Sequence, residues 1–168
     1  MNVYQIRADF GQDCFSGDIG LEVVLSGCAK ALKGNPCKNC HTPFLWDFDV
    51  GKPLDLEEIK KKLLYYPYDA FILLGGDPLD HHPKELYKLV SLAKQYVRYV
   101  FVWTGYEYDE LLKDFNSDEW KLFWNCVDYV KVGRYIPELP KKGKLASSNQ
   151  RVLKLKGGLE SATEVSFE

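Results

Sequence analysis

Ala70-Phe71-Ile72-Leu73-Leu74, running into Gly75-Gly76-Asp77-Pro78, is the stretch on which the architecture turns. Five apolar residues without alternation mark a short strand buried on both faces, as in the middle of a parallel sheet. The Gly-Gly-Asp-Pro run ends it in a turn. On the upstream side, Leu56, Ile59 and Leu63 recur at helical spacing. Asp55 and Glu58 form a capping pair at that helix's start, and Lys60, Lys61 and Lys62 follow the acidic residues as the helix dipole prefers. The helix should close near Tyr66-Pro67. On the downstream side, Pro83 opens a second helix, with Leu86, Leu89, Val90, Ala93 and Val97 on one face.

The same alternation extends to both ends of the chain. Residues 2–10 and 21–25 read as strands, separated by a Gly-, Asp- and Ser-bearing loop that contains Cys14. Residues 99–103 form another strand, followed by a helical stretch from Leu111 to Trp124, broken near Asn116-Ser117. Residues 128–132 and 151–155 are the last strands expected, joined by a basic, proline-containing loop over 137–148. Alternating strands and helices specify an α/β class with a largely parallel sheet. In such sheets ligands bind beyond the carboxyl ends of the strands. Ser26-Gly27-Cys28, Gly75-Gly76-Asp77-Pro78, Thr104-Gly105-Tyr106 and Gly133-Arg134-Tyr135 all follow such ends, so four glycine-bearing loops converge on one edge.

Composition narrows the class further. The 168 residues suit one compact domain, and the net charge of −2 offers no basic field for nucleic acid. Lysine runs at 60–62 and 141–144 read as solvated faces. No apolar run approaches the length of a membrane helix, and the first ten residues do not resemble a secretion signal, so a cytoplasmic location is expected. Aromatic residues make up 14% of the chain, enough for a core with some left for a docking surface.

Three of the five cysteines, Cys28, Cys37 and Cys40, fall within thirteen residues. Clustered thiols without an extracellular signature point to a metal or to redox chemistry rather than to disulfides. Three thiolates fit a zinc site completed by His41 or Cys14, as in a non-catalytic interaction module. They equally fit three corners of a [4Fe–4S] cluster whose fourth iron stays open. Cys14 reads as a bystander and Cys126 as core. His81 and His82 read as solvent-exposed residues at a helix start.

Taken in order, these stretches resemble radical S-adenosylmethionine enzymes, and within them the activating proteins of anaerobic ribonucleotide reductases. The resemblance is carried by Ser26-Gly27-Cys28, Cys37-Lys38-Asn39-Cys40-His41, Trp46-Asp47-Phe48, Gly75-Gly76-Asp77-Pro78-Leu79, Trp103-Thr104-Gly105-Tyr106, Gly133-Arg134-Tyr135 and Ser148-Asn149-Gln150-Arg151. It implies an open, partial parallel β/α barrel over residues 1–168, with the cluster loop at 26–46. It also implies an oxidoreductase in which a [4Fe–4S] cluster held by Cys28, Cys37 and Cys40 cleaves S-adenosylmethionine reductively. The resulting 5′-deoxyadenosyl radical then takes hydrogen from a glycine of the reductase. Gly75, Gly76 and Asp77 resemble the loop that receives the methionyl ammonium, and Asn39 and His41 match positions beside the adenine. Thr104 and Arg134 are further candidates facing the cofactor. The implied partners are the reductase and a one-electron donor such as flavodoxin. A radical enzyme acting on a small molecule or peptide is the neighbouring alternative. The chain departs from the family in two places: eight residues, not three, separate Cys28 from Cys37, and Val132 stands where an acidic residue is common.

Overall fold

The computed structural model describes residues 1–168. One eight-stranded sheet runs through it, in the order β3-β1-β2-β4-β5-β6-β7-β8. Its strands are β1 (Asn2–Asp9), β2 (Gly20–Leu25), β3 (Lys52–Pro53), β4 (Ala70–Gly75), β5 (Tyr99–Trp103), β6 (Tyr129–Val132), β7 (Arg151–Lys154) and β8 (Thr163–Val165). The central four, β2-β4-β5-β6, are parallel. The pairings outside them are antiparallel. The sheet does not close on itself, in agreement with the open parallel core expected from sequence.

The unbroken apolar run of β4 has a direct cause. Phe71 and Leu73 point into the larger core, together with Val23 and Leu25 of β2 and Val100 and Val102 of β5. Ala70 and Ile72 point the other way, into a smaller cluster with Tyr99, Phe101, Val152 and Phe167. Four helices supply the larger core: α2 (Leu56–Tyr65), α3 (Pro83–Ala93), α4 (Tyr108–Asp114) and α5 (Asp118–Cys126), numbered after a single turn, α1 (Ala29–Leu32). Asp55 caps α2 by accepting the Glu57 and Glu58 amides, and Pro83 occupies the first turn of α3. The break between α4 and α5 falls where Ser117 caps the second helix.

Several expectations need correcting. The strand at 151–154 is not the last: β8 pairs with β7, but it is only three residues long and mostly exposed, so it carries no apolar pattern. The two-residue β3 and the turn α1 are also too short to leave a periodic signal. Lys144 is not simply solvated, because its ammonium reaches the Cys14 carbonyl at 2.7 Å and lies 4.6 Å from the Phe167 ring centre. Val132 is fully buried in the larger core, where an acidic side chain would be costly. No helix is long and apolar enough to cross a membrane.

Candidate functional site

Parallel strands end with unpaired backbone groups, and here those groups hold one another's loops. Beyond β2, the Gly27 amide donates to the Leu45 carbonyl at 2.7 Å and the Cys28 amide to the Trp46 carbonyl at 3.0 Å. Beyond β4, the Gly76 amide donates to Leu25 at 3.0 Å and the Asp77 amide to Gly27 at 2.8 Å. The cysteine loop and the Gly-Gly-Asp-Pro loop are therefore stitched together at the carboxyl edge. Only glycine fits at Gly76, since a Cβ there would lie 2.2 Å from the Gly27 carbonyl oxygen. Gly27 has φ +104 with the Phe48 ring packed against it, a conformation other residues rarely take.

Cys28 precedes α1, and Cys37 and Cys40 follow in the loop, with the Cys40 amide donating to the Cys37 carbonyl at 3.2 Å. All three thiols are free and half-buried. Burial, with the Asp77 and Asp80 carboxylates, holds the Cys28 thiol above its ordinary range. Cys14 does not join them. It is fully buried in the smaller cluster and donates its thiol to Asp9 Oδ2 at 3.0 Å. Burial and the Asp9 carboxylate push its pKa up to about 12. His41, the other candidate fourth ligand, is exposed, with its ring centre 4.4 Å from that of Tyr135. One zinc ion bound at about 2.3 Å from each sulfur would hold them roughly 3.8 Å apart. The set of three ligating side chains gathered within 4.8 Å of one another is instead Asp9, Asp13 and Glu22. The donor set at the cysteine loop is thus three thiolates without a protein fourth, which fits a cluster with one open iron.

Asp77 organises the neighbouring loop. Its carboxylate accepts from Thr104 Oγ1 at 2.8 and 3.0 Å, from the Gly105 amide at 2.9 Å and from the Leu79 amide at 3.2 Å. Thr104 is buried and its hydroxyl is directed at Asp77. Burial and nearby Asp80 push the Asp77 pKa up to about 6, with Lys30 and the hydrogen bonds opposing. Behind it, buried Lys131 donates to the carbonyls of Thr104 at 3.1 Å and Gly133 at 3.3 Å. Burial pulls its pKa down to about 8.

Arg134 and Asn39 sit at the rim. The Arg134 guanidinium donates to the Asn35 carbonyl at 2.8 Å, and a Lys38–Glu138 ion pair also ties the cysteine loop to the segment after β6. Asn39 is exposed, with φ +53. Asn149 donates to the Arg134 carbonyl at 2.8 Å, and its own buried side-chain oxygen has no partner.

The structure adds residues for which no role was read from the sequence. Asp80 accepts the Tyr106 hydroxyl at 2.5 Å and the Ala29 amide at 2.7 Å, joining three loops. Its spacing three residues after Asp77, across one short 3-10 turn, was the available signal. Lys30 lies over the Tyr106 ring, 2.8 Å from its centre, and burial draws its pKa below the lysine range against the pull of Asp77, Glu110 and Asp80. His81 is buried, contrary to expectation: its Nε2–H donates to the Ser26 carbonyl at 2.7 Å and its ring packs edge-on against Phe48. His82 is exposed as expected and caps α3.

The model of the 4Fe-4S single cluster domain matches residues 19–153, most of the chain. A 7-carboxy-7-deazaguanine synthase from Hyperthermus butylicus is 32% identical over 74 residues, 44% of this chain and 29% of that protein. An anaerobic ribonucleoside-triphosphate reductase-activating protein from Salmonella typhi is 27% identical over 143 residues, 77% of this chain and 84% of that one. Among solved structures, QueE from Escherichia coli aligns with TM-score 0.46 and 18% identity, over 62% of this chain and 52% of that chain.

Proposed function

The chain belongs to the 4Fe-4S single cluster domain family, and from that premise we propose that it is a radical S-adenosylmethionine activase for an anaerobic ribonucleotide reductase. The observation that carries the reading is the joining of a three-thiol loop to the Gly75–Asp77 loop at the carboxyl edge of the parallel strands. Similarity over most of both chains to a reductase-activating protein supports the choice of partner. Cys28, Cys37 and Cys40 would hold a [4Fe–4S] cluster, which would supply the one-electron reductive cleavage of S-adenosylmethionine and so the radical chemistry that takes hydrogen from a glycine of the reductase.

The chain's own residues do the positioning. Cys28, Cys37 and Cys40 would each hold one iron of the cluster. Gly75 and Gly76, free of side chains, let the two loops pack together and offer backbone carbonyls to the methionyl end, while Asp77 fixes that loop through Thr104 and Gly105. Asn39, His41 and Arg134 line the rim on the adenine side. The sheet's unclosed edges leave a side for a protein substrate to enter. The chain works in the cytoplasm as one catalytic domain over residues 1–168, fed by a one-electron donor such as flavodoxin.

The test is anaerobic reconstitution with iron and sulfide, followed by reductant, S-adenosylmethionine and the reductase. The expected products are 5′-deoxyadenosine and a glycyl-radical signal in electron paramagnetic resonance. Colourless protein that holds stoichiometric zinc and makes no 5′-deoxyadenosine would overturn the reading.

A further inference from the structure

Lys30 stands in the eight-residue segment between Cys28 and Cys37, within the turn that follows Cys28. Its ammonium nitrogen is shut off from solvent and has no hydrogen-bond partner. The Tyr106 ring, 2.8 Å away, attracts the charge but leaves three N–H donors unmet. A buried ammonium without acceptors is among the costliest arrangements a protein can hold. The carboxylates around it are already engaged. Asp77 accepts from Thr104, Gly105 and Leu79. Asp80 accepts from Tyr106 and Ala29. Those bonds keep both from swinging onto Lys30, so its acceptor has to come from outside the protein, and the lysine side chain turns off the Tyr106 ring to meet it.

We propose that this acceptor is the carboxylate of bound S-adenosylmethionine, with Lys30 as a positioning residue, an inference that rests on the function proposed above. The methionyl end carries an ammonium and a carboxylate on the same carbon. A site offering backbone acceptors at Gly75 and Gly76 for the first needs a donor within a few ångströms for the second. Lys30 is the buried cation without an acceptor, and it emerges one residue after Ala29, whose amide is pinned to Asp80 beside that loop.

The test is equilibrium dialysis of cluster-loaded protein against S-adenosylmethionine and against its decarboxylated analogue, which keeps the sulfonium, the amine and the adenosine. Lys30→Met should weaken S-adenosylmethionine binding by roughly 10- to 100-fold, the usual effect of removing a charged hydrogen-bond donor. It should leave the decarboxylated analogue nearly unchanged. Lys30→Arg should restore the preference for the carboxylate, and Lys30→Gln, polar but uncharged, should lose it even if the methionine variant loads its cluster poorly. Equal weakening of both ligands, or of neither, overturns the assignment of Lys30 while leaving the activase reading intact. Wild-type protein that loads a cluster but binds neither ligand overturns both.

Discussion

Asp9 and Asp77 are both buried, both lie at or just beyond the end of a strand, and each organises a loop that carries or adjoins a cysteine. Asp9 accepts from the amides of Gln12, Asp13 and Cys14, and from the Cys14 thiol. Burial works against its charge, but these bonds more than offset it and hold the carboxyl below its ordinary value. Asp77 accepts a similar number of bonds, yet burial and neighbouring Asp80 leave its carboxyl well above the usual range. The two aspartates lie at opposite edges of the parallel strands, since β1 runs antiparallel to β2 and the loop from Asp9 enters β2 at its amino end. The amino edge gathers carboxylates too, but Glu22 there is paired with Arg7 and the one thiol is sealed among Phe101, Tyr99 and Phe167. At the carboxyl edge two carboxylates crowd together, an ammonium lacks an acceptor and three thiols remain half-open. Unmet groups of this kind are expected where a ligand completes the structure.

The largest effect that would sharpen this contrast is steric. Gly76→Ala puts a methyl group onto the backbone of Gly27 and Leu45, atoms that cannot turn aside. We expect a loss of roughly 3 kcal/mol in urea-monitored stability and loss of S-adenosylmethionine binding. A variant as stable as wild type would show that the two loops are not packed as described.

A smaller effect is electrostatic, and its sign follows from the direction of each shift. In the protein without its cluster, the folded Asp77 pKa of about 6 lies above its unfolded value of 3.8. The native state therefore holds the proton more tightly, and this residue's contribution makes stability fall as pH rises from about 4 to about 6. Asp9, held below 3.8, contributes stability at higher pH that is lost only as pH falls through its folded pKa. Urea midpoints measured at about pH 4.5 and about pH 6.5 should show wild type losing on the order of 2 kcal/mol relative to Asp77→Asn. Parallel pH curves for the two proteins would remove Asp77 as the strained group.

Much of this was legible in the chain. The β4 run announced a central strand because both of its faces meet apolar layers, Asp55 and Pro83 marked helix starts through chemistry that is local in sequence, and Asn116-Ser117 marked a break. The convergence of glycine-bearing loops followed from the parallel topology alone. What escaped was either too short for periodicity, as with β3, α1 and β8, or set by contacts distant in sequence. His81 looked like a surface residue at a helix start, yet its partners are Ser26 and Phe48, more than thirty residues upstream. Lys30 looked like an ordinary lysine, because its isolation is created by Asp77, Asp80 and Tyr106 folding around it with their bonds already made. The engagement of Cys14 with Asp9 was equally invisible, since only the turn between β1 and β2 brings the thiol to the carboxylate.

The most direct test of the difference between the two edges is the iron and acid-labile sulfide content of Cys40→Ala and Cys14→Ala after identical anaerobic reconstitution. Cys40→Ala is expected to lose the intact cluster and to make no 5′-deoxyadenosine. Cys14→Ala should load like wild type and show only lower stability, by about 2 kcal/mol from the lost packing and thiol bond. Full loading in Cys40→Ala, or loss of the cluster in Cys14→Ala, would contradict that difference.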